Sequence, residues 1–208
     1  MTAADARLRS PAFPRNGGPI LEALRPHLAG RAGRALEIGC GPGEHALALA
    51  RAFPDLDWLP TDPDPEAVSS TAAWRAAEGP ANLRAPLRLD AAKDWGDAAP
   101  PAAFALVLAI NVVHISPWAT ALGLVSGAGR ALAPGGLLAL YGPFLEDGVE
   151  TAPSNLDFDR SLRARDPRWG LRRREDVDAL AASAGLAPVE VARLPANNIL
   201  AVWRRAAG

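Results

Sequence analysis

Short apolar runs alternate along this chain with segments in which apolar residues recur at helical spacing. The apolar runs predict strands at 34–38, 56–60, 87–89, 104–110 and 137–141. The helical spacing predicts helices at 19–28, 44–53, 66–77, 117–132 and 174–184. Two more strands are predicted after the last helix, at 188–194 and 199–203, with a turn between them at 195–198.

This order of elements predicts the fold class. Strands that alternate with helices indicate an α/β protein with a doubly wound, mostly parallel sheet and helices on both faces. The run 104–110 is apolar throughout, which is typical of a central strand buried on both faces. We therefore expect one domain over 1–208, with seven strands and a terminal antiparallel hairpin. An N-terminal segment and helix (1–30) and an insertion (142–170) are expected to lie beside the site.

A glycine-rich turn follows the first predicted strand. Gly39, Gly41 and Gly43 alternate after the acid Glu37 and directly precede a predicted helix. Glycines allow a sharp turn and close approach of a ligand, and the helix directs free N–H groups to the same place. A dinucleotide fingerprint has its third glycine five residues after the first, whereas this turn has it after four. The spacing predicts a nucleotide-type ligand other than a dinucleotide.

Polar residues also end the next three predicted strands. Asp62 ends the second strand, where a carboxylate can accept both ribose hydroxyls. Alternatively, Asp62 caps the helix that follows Pro63. Asp90 ends the third strand, with a solvated loop acid as the alternative, and Asn111 ends the fourth, beside the ligand in this topology.

The acid and the G-x-G-x-G turn together resemble motif I of the class I S-adenosylmethionine-dependent methyltransferases. The resemblance implies a Rossmann-like methyltransferase fold, S-adenosyl-L-methionine as cofactor and S-adenosyl-L-homocysteine as product. It implies that Glu37 lies near the cofactor's amino group, and that Asp90 and Ala91 face its adenine. The predicted cofactor-binding residues are Arg15, Asn16, Glu37, Gly39, Cys40, Gly41, Gly43, His45, Asp62, Pro63, Asp90, Ala91, Asn111 and Val112.

Several further segments resemble a narrower family, the methyltransferase-like protein 26 type, whose substrate is unassigned. The matching segments are 10–11, 15–16, 19–21, 111–118, 141–144, 151–155 and 195–198. They span nearly the whole chain, but the resemblance implies no particular methyl acceptor.

Two residues are candidates for catalysis. His114 follows the fourth strand, where an imidazole could remove a proton from an acceptor near neutral pH, or could only pack or contact the cofactor. Tyr141 ends the fifth strand, where its hydroxyl could bind substrate or be satisfied within the core. His45 is predicted to neighbour the cofactor from the first turn of its helix.

Other residues are candidates for contact with substrate. They are Trp118, Asn155, Asn197 and Asn198, for which core packing or turn formation are the alternatives. Arg15 suits a carboxylate, either of the cofactor or of an acidic substrate, with a surface ion pair as the alternative. The arginines of 160–174 form either a solvated face or a site for an anionic substrate.

Composition narrows the class of protein. The formal net charge of −1 gives no basic field for nucleic acid, so no nucleic-acid partner is expected. No apolar stretch approaches 18 residues, so no membrane span is expected. The single cysteine, Cys40, favours a cytoplasmic location, and the three histidines show no metal spacing. One lysine among many arginines, with abundant alanine, indicates a GC-rich bacterial genome.

The sequence thus predicts a methyltransferase for a small-molecule acceptor. One alternative is a sensor or scaffold protein that binds the same cofactor without methyl transfer. A more remote alternative is an NAD-dependent oxidoreductase, against which the glycine spacing and the closing hairpin both count. The acceptor atom and the choice between monomer and homodimer stay open.

Overall fold

The computed structural model describes residues 6–207, so residues 1–5 and 208 of the predicted domain lie outside it. Its helices are α1 (Phe13–Leu28), α2 (Glu44–Ala52), α3 (Pro65–Glu78), α4 (Trp118–Ala131), α5 (Pro153–Arg165) and α6 (Arg174–Ser183). Its strands are β1 (Gly33–Ile38), β2 (Leu56–Asp62), β3 (Leu87–Arg88), β4 (Phe104–Ile110), β5 (Leu132–Gly142), β6 (Leu186–Leu194) and β7 (Asn198–Arg205).

The strands form one seven-stranded sheet in the order β3-β2-β1-β4-β5-β7-β6. Strands β1 to β5 pair in parallel, whereas β7 runs antiparallel to β5 and to β6. This is the predicted Rossmann-like methyltransferase fold, with its terminal hairpin. The order reverses direction at β1 and β4, and in such sheets ligands bind outside the carboxyl ends of the strands at this switch point.

Apolar side chains cover both faces of the sheet. On one face, Ile20 and Leu24 of α1 pack with Trp58, Leu106 and Leu108. On the other face, Leu124 of α4 and Val177 of α6 pack with the strand residues Leu36, Val107 and Trp203. The apolar run of β4 is buried from both sides because alternate residues enter different clusters. This double burial holds the carboxyl ends of β1 and β4 in place.

Helix α1 differs from the prediction because it begins at Phe13, so that Pro19 lies inside it. Its first turns carry no apolar stripe, which is why the periodicity does not reveal them. Asn16 and Gly17 are nevertheless buried there. A Cβ at Gly17 would lie 2.7 Å from the Phe13 ring, so the missing side chain makes room for that ring.

Strand β5 also differs, since it begins at Leu132 and includes the Ala133–Gly136 segment that the sequence predicts as a break between helix and strand. A register shift between the pairs Phe104–Leu132 and Leu106–Leu137 accommodates the extra residues as an irregularity of the ladder. Gly135 has a positive φ of 75°, which glycine adopts without strain.

Candidate functional site

The glycine turn between β1 and α2 has three left-handed residues with different surroundings. Gly39, Gly41 and Gly43 have φ of 70°, 54° and 100°. A Cβ at Gly39 would lie 2.5 Å from Val112 Cγ2, and one at Gly43 would lie 2.6 Å from Thr71 Oγ1. A Cβ at Gly41 would meet no heavy atom within 4 Å. Two of the glycines therefore permit close packing, whereas Gly41 faces open space.

Asp62 connects this turn to the end of β2. Its Oδ2 accepts from the Gly41 N–H at 2.9 Å, and its Oδ1 accepts from the Asp64 N–H at 3.0 Å. The N-cap of α3 is Asp64, whose side chain accepts from the Glu66 N–H, so the alternative interpretation of Asp62 as the cap is wrong. Burial raises the pKa of Asp62. Asp62 thus lies beside the glycine turn with its carboxylate oriented by two backbone donors.

A cavity of about 350 Å³, here called the glycine-loop cavity, opens at this edge of the sheet. It brings together predicted residues from four strand ends, namely Gly39, Gly41, Asp62, Pro63, Asp90, Ala91 and Val112. Its other lining residues are Ile38, Ile110, Ile115, Ser116, Pro117, Thr120 and Trp169. Trp169 comes from the 142–170 insertion, and no sequence signal distinguishes it from a core tryptophan.

Arg172 holds the loop that forms one wall of this cavity. Its Nε donates to the Val113 carbonyl at 2.9 Å, and its Nη2 donates to the Ser116 carbonyl at 2.6 Å. Its guanidinium also lies 5.6 Å from the centre of the Trp118 ring. The sequence groups Arg172 with a basic surface, but the structure places it as a brace between the insertion and the 111–117 loop.

Glu37 lies beneath the glycine turn and is 1 % exposed. Trp58 Nε1 donates to its Oε2 at 2.7 Å. Burial raises the pKa of Glu37 to about 7, because an ionised carboxylate loses hydration there. Glu37 is not among the residues that line the glycine-loop cavity. A bound cation close to Glu37 would lower this pKa and so favour the ionised carboxylate.

A second cavity of about 340 Å³, here called the Tyr141 cavity, is lined by Asn111. The next residue, Val112, lines the glycine-loop cavity, so the two cavities are neighbours at the end of β4. Its polar lining residues are Arg15, Asn16, Asn111, Tyr141, Asn155 and Asn198, and its other lining residues are Ala12, Pro19, Pro143, Phe158, Pro195 and Ala196. Asn111 has a positive φ of 60°, and its N–H donates to the Tyr141 carbonyl at 2.8 Å. The ends of β4 and β5 therefore place Asn111 and Tyr141 side by side.

A hydrogen-bond chain runs from α2 to Tyr141. His45 Nε2 lies 3.0 Å from Asn16 Oδ1, and the Asn16 side chain also bonds to Tyr141. Burial lowers the pKa of His45 to about 4, so its imidazole is neutral and Nε2–H donates to the amide oxygen. Burial raises the pKa of Tyr141, so the phenol keeps its proton at neutral pH. Tyr141 can therefore donate a hydrogen bond but cannot serve as a base.

His114 has no exposed surface and lines neither cavity, although its Nε2 lies beside Gly142, near Asn111 of the Tyr141 cavity. Its ring meets Phe144 edge to face at 4.6 Å, and burial lowers its pKa to about 3. Within residues 6–207, neither ring nitrogen has a hydrogen-bond partner. Its carbonyl accepts from the Gly170 N–H at 2.9 Å. This position gives no support to the predicted general base, because a base must reach the acceptor's proton.

The remaining predicted residues lie near the cavities without lining them. Trp118 begins α4 and packs against the core. Cys40 is buried, with its N–H donating to the Thr61 carbonyl at 2.9 Å. Gly43 packs on Thr71, and Asn197 offers its carbonyl to Asn155 Nδ2 at 3.0 Å.

Asn198 lines the Tyr141 cavity, but its Nδ2 donates to the Pro195 carbonyl at 3.0 Å. Its amide therefore takes part in the β6–β7 turn, which is the alternative interpretation of this asparagine.

An N-terminal segment before α1 crosses the helices that follow the glycine turn. The Leu8 N–H donates to Ser70 Oγ at 2.8 Å, and Trp74 Nε1 donates to the Leu8 carbonyl at 3.0 Å. The Ser10 N–H donates to the buried carboxylate of Glu44 at the start of α2. Ser70 Oγ in turn donates to the Pro42 carbonyl at 2.7 Å. The segment is thus tied to the turn itself, a link that the sequence does not predict.

Residues 6–207 lack two further features. No group of three histidine, cysteine or acidic side chains is arranged to hold a metal ion there. None of the described helices combines the length and apolar character needed to cross a bilayer.

Solved structures share the fold at low sequence identity. An O-methyltransferase family protein from Burkholderia thailandensis has a TM-score of 0.79 and 19 % identity, covering 95 % of this chain and 58 % of its own. Human N-acetylserotonin methyltransferase, solved in complex with S-adenosylmethionine, has a TM-score of 0.75 and 17 % identity over 94 % of this chain and 53 % of its own. The chain thus spans little more than half of these two proteins.

A smaller protein matches over its whole length. The YcgJ protein from Bacillus subtilis has a TM-score of 0.69 and 15 % identity, covering 92 % of this chain and 100 % of its own. A family model described as "Protein of unknown function (DUF938)" matches residues 7–205. The chain therefore belongs to the DUF938 family.

Proposed function

We propose that this protein is an S-adenosylmethionine-dependent methyltransferase that acts on a small-molecule acceptor. One observation carries the proposal: the glycine turn, Asp62 and Asp90 line a single cavity at the switch point of the sheet. Its volume of about 350 Å³ is in the range of small-molecule sites. The fold shared with methyltransferases supports the same assignment.

The residues present suit each part of the methyl donor. Asp62 would accept the ribose hydroxyls, and Asp90 with Ala91 would face the adenine. Gly41, whose open side faces the cavity, would let the donor lie against the backbone. Glu37 would balance the amino group, since a buried carboxylate whose pKa is about 7 gains most from a nearby cation.

The donor supplies an electrophilic methyl group, so the protein's part is to align the acceptor and to exclude water. The Tyr141 cavity would hold the acceptor, because it adjoins the glycine-loop cavity where the consecutive residues Asn111 and Val112 line one cavity each. Tyr141 would donate a hydrogen bond to it, and no proton-transfer role falls to His114. The resemblance to the methyltransferase-like protein 26 type family fits this proposal and names no acceptor.

Calorimetry with S-adenosylhomocysteine tests the proposed cofactor site. We expect micromolar or tighter binding to the wild type. Asp62→Asn should weaken it about 10- to 100-fold, since charge-assisted bonds to the ribose contribute roughly 1.5–3 kcal/mol. Asp97→Asn is the matched control, because this exposed acid lies outside the cavity. No binding by the wild type, or tighter binding of NADH, would overturn the proposal.

A turnover assay distinguishes an enzyme from a cofactor-binding sensor or scaffold. The protein is incubated with radiolabelled S-adenosylmethionine and a library of small metabolites. Transfer of label to any member, reduced in Asp62→Asn at limiting donor, supports the methyltransferase. Tight cofactor binding without transfer to any member would favour the sensor.

A further inference from the structure

The Tyr141 cavity has an unusual chemical lining. Its polar groups are four side-chain amides, one phenol and one guanidinium, and its other residues are alanine, proline and phenylalanine. No carboxylate, imidazole, thiol or lysine amine lines it within residues 6–207. The cavity therefore holds one positive charge, and it offers no negative charge to attract a cationic acceptor.

Arg15 supplies that positive charge. It is exposed, and it has no ion pair or hydrogen bond from its side chain within residues 6–207. Its charge acts on Tyr141, whose pKa it lowers against the larger effect of burial. Arg174 and Arg193, by contrast, both pair with Glu146. An unpaired guanidinium beside a phenol O–H forms a binding site for a carboxylate.

The cavity also lacks a group that could accept a proton from an acceptor. The Tyr141 phenol keeps its proton at neutral pH, and amides and guanidinium are not bases there. His45 is separated from the cavity by Asn16, to which its Nε2 is already hydrogen-bonded. His114 has no exposed surface and does not line the cavity, because it lies behind Gly142. A hydroxyl or ammonium acceptor would find no base here, whereas an acceptor that arrives as an anion needs none.

Resting on the proposed function, we propose that the acceptor is a small carboxylic acid and that its carboxylate oxygen is the atom methylated. One oxygen of the carboxylate forms a bond to the methyl carbon as the sulfur–methyl bond breaks. The acid becomes a neutral methyl ester, the sulfonium becomes the neutral thioether of S-adenosylhomocysteine, and no proton moves. Arg15 and Tyr141 bind the carboxylate and orient it.

The first experiment uses the chemistry of the product. Methyl esters release methanol in mild base, whereas methyl ethers, amines and thioethers do not. The wild type is incubated with methyl-labelled S-adenosylmethionine and benzoate, phenylacetate, hexanoate or glutarate, each paired with its carboxamide. We expect labelled product from acids alone, with its label volatile after base treatment. A base-stable product, or transfer to the amides as well, would overturn the proposal.

Binding provides a readout that does not depend on turnover. Calorimetry measures each acid and its amide against the wild type saturated with S-adenosylhomocysteine. We expect at least one acid to bind about tenfold tighter than its amide, equivalent to about 1.4 kcal/mol. If no acid binds better than its amide, the proposal fails, although the cofactor site stands as long as S-adenosylhomocysteine itself binds.

Variants assign the carboxylate to Arg15 and Tyr141. Arg15→Gln and Tyr141→Phe should each raise the KM for the acid about tenfold or more. Arg204→Gln is the matched control, since this exposed arginine lines neither cavity and lies in register with Leu137 in the middle of β5. At saturating donor, turnover should be flat from about pH 6 to 9, because carboxylic acids are ionised throughout. A rate that rises with pH would indicate an acceptor that must lose a proton.

The methyl donor also carries a carboxylate, so Arg15 could bind the donor instead of the acceptor. A comparison of two further ligands distinguishes these two roles. S-adenosylhomocysteine retains the donor's amino-acid part, whereas 5′-methylthioadenosine lacks it. If Arg15 binds the acceptor, Arg15→Gln leaves the Kd of both ligands within about twofold of wild type. Weaker binding of S-adenosylhomocysteine alone would assign Arg15 to the donor and overturn the acceptor proposal.

Discussion

At the residue scale, Glu37 combines a cost in stability with a proposed role in binding. Its pKa is about 7 in the folded protein, above its usual 4.5. The folded state therefore holds this proton more tightly than the unfolded state. The resulting stabilisation is fully present below about pH 4.5 and is lost as the pH rises to 7. At pH 8 the buried ionised carboxylate makes the folded protein less stable than a neutral side chain would.

Glu37→Gln should therefore change the pH dependence of stability. The unfolding free energy of the variant minus that of the wild type should increase between pH 5 and pH 8 by up to about 3 kcal/mol, because only the wild type loses stability as Glu37 ionises. The amide oxygen of the variant can still accept from Trp58 Nε1, and any fixed packing cost is the same at both pH values. Urea unfolding at pH 5 and 8 measures the difference, with the exposed Glu66→Gln as control. A difference that does not vary with pH would contradict the assignment to Glu37.

Arg15, His45 and Tyr141 show what a residue pattern can and cannot reveal. Residue types and their positions at strand ends predict Asp62, Asp90 and Tyr141 near the cavities. The hydrogen-bond chain through Asn16 joins α1, α2 and β5. The apolar periodicity of a single segment does not predict a contact between distant segments. The position of His114 after β4 predicts a place at the cavity rim, but the 142–170 insertion covers it through Gly170 and Phe144.

At the element scale, two variants of the turn between β1 and α2 should distinguish a loss of packing from a loss of ligand binding. Gly43→Ala places a Cβ 2.8 Å from the Thr71 backbone and strains a residue at φ 100°. We expect a loss in unfolding free energy of about 2 kcal/mol or more. Gly41→Ala has open space around its Cβ, so only the positive-φ strain of about 1–2 kcal/mol should remain.

Urea unfolding and S-adenosylhomocysteine calorimetry on both variants measure the two effects. The Cβ of Gly41→Ala would project toward the cavity. We therefore expect Gly41→Ala to weaken ligand binding more than Gly43→Ala does, although it costs less stability. If Gly41→Ala binds like wild type, the turn's backbone does not contact the ligand.

The N-terminal segment is held to the same turn by one buried hydroxyl. Ser70→Ala removes the acceptor for the Leu8 N–H and the donor to the Pro42 carbonyl. We expect a loss of about 1–3 kcal/mol in unfolding free energy, because two hydrogen bonds of roughly 0.5–1.5 kcal/mol each are lost. Amide exchange at Leu8 should also become faster. The control is Ser126→Ala, an exposed α4 serine that bonds only to the Gly123 carbonyl, and equal exchange in the two variants would refute the link.

At the scale of the whole molecule, the order of elements is predictable because sheet topology follows from short-range patterns. The continuous apolar run of β4 identifies the sheet centre, and the strand-end acids identify the edge where ligands bind. The start of α1 and the irregular start of β5 are not predictable, because burial of Gly17 and a shifted ladder set them. The two cavities likewise arise from segments distant in sequence, which only the assembled fold brings together.

Because the proposed cofactor site joins β1, β2, β4 and α4, its ligand should stabilise the whole fold. At a concentration about 100 times its Kd, S-adenosylhomocysteine should raise the unfolding free energy by about 2.7 kcal/mol and the Tm by roughly 5–10 °C. At fixed ligand concentration the Tm shift should be larger at pH 8 than at pH 6, because Glu37 must lose its proton before it can balance the ligand's amino group. Differential scanning calorimetry at both pH values measures this, and Glu37→Gln should remove the pH dependence. An equal shift at both pH values in the wild type would show that Glu37 does not face the ligand's amino group.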